Sequence, residues 1–184
     1  MAVTHTLARA RDVVEFWRQA GPERWFARND SFDANFRQHF IDDHHAAARG
    51  EHAHWLETAE GALALLLLLD QFPRNCFRDS GHAWATDGLA LHYARQALAT
   101  GHDQATEAAL RPFFYLPFEH AEDAAEQARS VELFAALGDP ETLKFALAHQ
   151  QVITRFGRFP HRNASLGRTN THDEQAWLDA GGGF

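Results

Sequence analysis

The chain of 184 residues has one cysteine, one lysine, four serines, five valines and two isoleucines. Each scarcity excludes something. With Cys76 alone, neither an intrachain disulfide nor a multi-cysteine metal site can form. Seven β-branched aliphatic residues against 33 Ala and 19 Leu exclude a large sheet, because Ala and Leu cost least in a helix while Val and Ile favour strands. The wholly apolar run Ala62–Leu69 is eight residues long, far short of the roughly 20 that span a bilayer, so it reads as a buried core helix. Met1 to Trp17 lacks an apolar signal segment and reads as an amphipathic helix, which fits a cytoplasmic protein. None of Ser31, Ser80, Ser130 and Ser165 lies in Gly-x-Ser-x-Gly, and no glycine-rich phosphate loop is present. Acids outnumber bases 25 to 17, for a net charge of −8. That balance removes the simplest case for nucleic acid, and neither nucleic acid nor membrane is expected as a partner.

What is present is helical punctuation. Val14 and Trp17 continue a three-to-four spacing begun at Leu7 and Ala10, in a helix expected from Thr6 to Ala20 and stopped by Gly21-Pro22. Phe32, Phe36 and Phe40 stripe a second helix capped by Asp30 or Ser31. Thr58 caps a central helix that Pro73 is expected to end. Thr86 caps another, closed by Gly101; a further apolar helix, Ala105 to Leu116, is expected to halt at Pro117. Ala121 to Leu137 follows, then Asp139-Pro140 starts a helix striped by Leu143, Ala146, Leu147, Gln150 and Ile153 and closed by Gly157. Thr171 and Glu174 have capping-box spacing for a last short helix. The expected architecture is all-α, about eight helices in one domain spanning residues 1–184.

One pattern occurs twice. Gln71-Phe72-Pro73-Arg74-Asn75 and Arg158-Phe159-Pro160-His161-Arg162-Asn163 both place Phe-Pro, then Arg-Asn, at the end of a helix. Phe packs, Pro stops the helix, and Arg and Asn satisfy terminal carbonyls. The sharper alternative is that two matching exits present Arg and Asn to a ligand.

These segments also resemble a bacterial family known as domain of unknown function 924. The resemblance is carried by Val14-Glu15-Phe16-Trp17, by Leu66 to Asn75, by Leu116-Pro117-Phe118-Glu119-His120-Ala121-Glu122, and by Arg155 to Asn163 continuing into Leu166-Gly167-Arg168. The family is similar to tetratricopeptide-type folds, which implies helices stacked in antiparallel hairpins. The chain departs from the family pattern at Thr169-Asn170-Thr171, where a carboxylate is usual, and at Cys76, where an aliphatic residue is usual.

The charge is unevenly placed. Residues 142–172 contain no acid but hold Lys144, Arg155, Arg158, Arg162 and Arg168, so this stretch carries +5 and the rest −13. Sixteen of the 17 bases are Arg, the planar, bidentate partner of carboxylates and phosphates. Two readings follow. In one, the arginines lock helices together through buried carboxylates. In the other, Arg74, Asn75, Arg78, Arg158, His161, Arg162 and Asn163 bind a small anionic ligand, a carboxylate or phosphate. Catalysis would then fall to His120 as general acid–base, oriented by Glu119 or Glu122, with Asp70 as a further candidate, and the reaction classes this set can run without a cofactor are hydrolysis and proton transfer. The chain has 13 His but no His-Glu-x-x-His, no paired Glu-x-x-His and no His-x-x-x-His on one helical face, so no metal is expected. The alternative function is a helical scaffold that binds a peptide or protein partner, its polar residues purely structural.

Overall fold

The computed structural model describes residues 2–184, with side chains from residue 8 onward; the side chains of Thr6 and Leu7 lie outside the described set. The fold is all-α, and among the described residues there is no strand. The helices are α1 (Ala2–Ala20), α2 (Pro22–Trp25), α3 (Asp30–Ala48), α4 (Ala59–Leu66), α5 (Phe72–Cys76), α6 (Asp87–Ala99), α7 (Pro112–Glu119), α8 (Ala124–Leu137), α9 (Pro140–Phe156) and α10 (His172–Asp179). They form two compact units: residues 1–78 with 82–117, and residues 79–81 with 118–184.

The core of the first unit is aromatic. Phe16 of α1 stacks on Phe32 and Phe36 of α3, each at 5.3 Å, and meets Phe40 edge-on at the same distance. Trp17 packs on Phe36 and edge-on against Phe113. The cap of α3 is Asn29, one residue before the expected pair; its side chain accepts from the Phe32 amide at 2.9 Å. Thr58 caps α4 as expected, accepting from the Gly61 amide. Gly61 is required there, because a Cβ would stand 2.1 Å from the Trp55 carbonyl oxygen.

The central helix does not stop at Pro73. It passes from α4 through a π-helical turn, Leu67–Gln71, directly into α5. Proline has no N–H, so one carbonyl about a turn upstream loses its donor. The wider turn lets the Phe72 amide reach back to the Leu67 carbonyl. The next carbonyls are served by side chains: the His44 ring bonds Leu68 O at 2.8 Å, the Thr86 hydroxyl donates to Leu69 O at 2.5 Å, and Arg74 donates to Asp70 O at 2.8 Å. These donors replace what proline removes, so a buried helix tolerates it. Thr86, the expected cap of α6, spends its hydroxyl on this task and makes no side-chain cap bond. Pro117 likewise lies within a helix, α7, whose first residue is Pro112, and the expected helix from Ala105 is a 3-10 turn at Ala108–Leu110.

The second unit is built on the α8–α9 hairpin, joined through Gly138 and Asp139. Gly138 is left-handed (φ 79°), and Asp139 accepts from the Glu141 amide with Pro140 at the first turn. The buried face of α9 is Ala146, His149, Val152 and Ile153. It differs from the expected stripe, since Leu147 is 40% exposed and His149 is 7% exposed. Gly157, at φ 70°, closes α9. Val152, Ile153 and Phe159 form a small core flanked by Phe156 and Trp177. Thr171 and Glu174 make the full capping box of α10.

Candidate functional site

Asp70, Arg74, Asn75 and Arg78 belong to the first unit; Glu119, His120, Arg158, His161, Arg162 and Asn163 belong to the second. In each unit the repeated motif grips a buried carboxylate from another element. In the first, Asp33 of α3 receives Asn75 Nδ2 on Oδ1 at 2.9 Å and Arg78 Nε and Nη2 on Oδ2 at 3.0 and 2.9 Å. In the second, Glu174 of α10 receives Arg158 Nε on Oε1 at 2.6 Å and Nη2 on Oε2 at 2.8 Å, with Asn163 Nδ2 at 3.5 Å. The Arg158 guanidinium holds the Glu174 carboxyl down to about 2.

Arg74 is engaged more heavily still. It forks onto Asp87 at 2.8 and 2.9 Å, lies 3.1 Å from Asp70 Oδ1, and sits over the Trp84 ring. Gln71 donates to the other Asp70 oxygen at 2.6 Å. Cys76 is unsuited to nucleophilic chemistry, because burial, and then the charge of Asp33, pushes its thiol up to about 12.

Glu122, just before α8, accepts from the Phe159 amide at 2.7 Å and from both arms of Arg168 at 2.6 and 2.8 Å. Burial works to raise its pKa, but Arg168 and that amide outweigh it and hold it below the usual carboxylate range. Arg158 and Arg168 thus tie the acid-free stretch to Glu174 and Glu122 of its own unit.

A different set of groups gathers around Phe159. Glu119 ends α7, His120 follows it, and His149 reaches in from the middle of α9. Glu119 Oε1 lies 3.2 Å from His149 Nδ1. The His120 and His149 rings are 6.1 Å apart. His149 meets Phe159 edge-on at 5.6 Å and stacks on Phe184 at 3.6 Å. His161 lies 5.6 Å from Phe159, and the Arg162 guanidinium lies over the same ring at 4.4 Å. Glu119, His149 and Arg162 are buried, while His120 and His161 are half-buried. Burial, and then the charges of His120, Arg162 and His161 together with an opposing bond to Phe145, bring His149 down to about 3. The ring is therefore neutral at ordinary pH, and its contact with Glu119 is not an ion pair. Gln127, fully buried on α8, donates to the carbonyls of Glu119 and Ala121 at 2.6 and 2.8 Å, fixing the backbone on either side of His120. One ligand atom from each of Glu119, His120 and His149 lies within 4.8 Å of the other two, so among the described residues this trio is placed to hold a metal ion.

Sequence reasoning named Glu119 and His120 but missed His149, Asp33 and Glu174. His149 stands 29 residues beyond His120, so no local spacing links them. Its one sequence signal is an imidazole three residues from Ala146 and four from Ile153, on the buried face of an amphipathic helix.

Residues 13–182 match the family model described as "Bacterial protein of unknown function (DUF924)". The chain belongs to this family. It is also similar to a solved structure, the protein of unknown function ATU0120 from Agrobacterium tumefaciens. That likeness has 51% sequence identity and a TM-score of 0.93, and covers 95% of this chain and 99% of the other. No curated protein matches this DUF924 chain. Among its described residues, no helix is long and apolar enough to cross a membrane.

Proposed function

We propose that this DUF924 protein binds a small anionic ligand, a carboxylate or a phosphate ester, in its second unit, with His120, His161 and Arg162 facing the anion and Glu119 and His149 behind them. One observation carries the reading: the His149 and His161 rings and the Arg162 guanidinium pack against Phe159, with His120 and Glu119 beside His149. Donors set in a partly dry site, with their backbone already fixed by Gln127, suit an anion better than mobile surface charges do. In this reading Arg158 and Arg168 are the frame, committed to Glu174 and Glu122, and Asp70, Arg74, Asn75 and Arg78 brace the central helix of the first unit. The reaction class is hydrolysis, with His120 moving the proton and Glu119 orienting it. The protein works in the cytoplasm, where a lone Cys76 stays reduced. The α8–α9 pair is read as one hairpin of the tetratricopeptide kind.

A thermal-shift screen with phosphates and di- and tricarboxylates tests the reading. A ligand is expected to raise the melting temperature of wild type, to lose that effect in His120→Ala and Arg162→Gln, and to keep it in Arg158→Gln, whose baseline is lower. No stabilisation by any anion would overturn the reading in favour of a helical scaffold for a peptide or protein partner.

A further inference from the structure

We propose that Glu119, His120 and His149 bind one divalent transition-metal ion of the zinc class. The inference rests on the reading of this cluster as a site and adds a second occupant to it, in whose presence His120 is a ligand and not the proton carrier.

The donor set is one carboxylate oxygen and two imidazole nitrogens. This combination is borderline in softness and suits zinc and its first-row neighbours rather than calcium or magnesium, which prefer all-oxygen cages. Three protein ligands leave a coordination position open, as in metal sites that take a water or a ligand. Ligand atoms about 2.0–2.2 Å from a zinc ion stand roughly 3–4 Å from one another. The three candidate atoms already lie within 4.8 Å of each other.

The surroundings fit a ligand role for His149. Its Nδ1 lies 2.9 Å from the Phe145 carbonyl oxygen. A carbonyl oxygen only accepts, so this contact places the proton on Nδ1 and leaves the lone pair on Nε2. A backbone carbonyl holding the second nitrogen of a ligating imidazole is the usual support for such a residue. Phe184, itself 54% exposed, stacks on one face of the ring, and buried Phe159 stands at its edge. Gln127 holds the 119–121 backbone from which the other two ligands project. Glu119 and His149 are buried and His120 is half-buried, so the site has two dry walls and one side turned to solvent.

The chain has 13 histidines, and the test must separate this site from adventitious binding. Chelator-stripped full-length protein is titrated with Zn²⁺ and Co²⁺ in buffer free of phosphate and carboxylates. Heat reports stoichiometry, and the visible Co²⁺ spectrum reports the coordination number. One ion per chain with a four- or five-coordinate spectrum is expected. Glu119→Gln, His120→Asn and His149→Asn should each weaken binding more than about tenfold. A His52→Asn/His54→Asn double variant should leave it unchanged. If His149→Asn does not fold, His120→Asn, at the half-buried position, decides the matter. Absence of a stoichiometric ion, binding that survives all three site variants, or binding that the His52/His54 variant removes would each overturn the proposal. The two readings fail separately. Anion stabilisation of stripped protein that Arg162→Gln abolishes supports the anion site even if no ion binds, whereas ion binding in anion-free buffer supports the metal site even if no anion does.

Discussion

Arg158 closes on Glu174 with both arms, Nε to Oε1 at 2.6 Å and Nη2 to Oε2 at 2.8 Å, and so joins the end of α9 to the first turn of α10. Glu174 is 2% exposed and also closes the capping box with Thr171. Its pKa is near 2 in the native state and about 4.5 when the chain unfolds. The pair therefore contributes in full above pH about 4.5, and its contribution is lost as pH falls toward about 2. Urea denaturation across that window should show wild type losing stability steeply. Glu174→Gln should be less stable at pH 7 and have a flatter slope below pH 4.5.

A second pH effect comes from His44, buried in the first unit with its ring on the Leu68 carbonyl. Burial, its largest influence, holds its pKa below the ordinary 6.5. As pH falls below about 6.5, the unfolded chain takes up a proton that the native ring refuses, so stability drops until the native pKa is reached. His44→Asn keeps a donor for Leu68 and cannot titrate. Its stability should depend less on pH between 6.5 and 5, even if it is lower overall.

The π-turn before Pro73 predicts an unusual role for a threonine. Thr86→Val keeps the shape of the side chain but removes the hydroxyl that serves the Leu69 carbonyl. An unsatisfied buried carbonyl costs about 1–3 kcal/mol. Urea denaturation should register a loss of that size for Thr86→Val, and Thr86→Ser should recover most of it.

Gln127 offers a further test, because it touches Glu119 and Ala121 only through their carbonyls. Gln127→Leu removes two hydrogen bonds, a cost of about 1–3 kcal/mol at ordinary net values. Gln127→Glu points a carboxylate at two carbonyl oxygens and should be worse. In a Gln127→Leu protein that remains folded at 15 °C by circular dichroism, anion-induced stabilisation should shrink, since the backbone under His120 is no longer held.

The parts of this fold that were legible in the sequence are those decided within one helical turn. Thr58, Asp139-Pro140, Gly157 and the Thr171/Glu174 box bond backbone groups two to four residues away, and the structure has them as expected. Composition settled the all-α class for the same reason: propensity is local. Pro73 was misread because its local effect is cancelled by donors from distant chain positions, His44 and Thr86. The face of α9 was misread because counting apolar residues placed Leu147 inside, whereas His149 takes the buried position. The candidate site was half legible. Glu119 and His120 stand together in the sequence, but His149 joins them only through the packing of α7's end against α9. Residue type alone could not say which carboxylates the arginines grip, Asp33, Asp87, Glu122 and Glu174, because those partners come from other elements.

The most direct test of the account follows the imidazoles themselves. Nitrogen-15 NMR of the histidine side chains, recorded while phosphates and di- and tricarboxylates are added, reports where an anion sits. The account predicts that resonances of His120, His149 and His161 move together and saturably while those of His44 and His52 stay fixed. Anion-dependent shifts confined to other histidines, or none across the series, would contradict it.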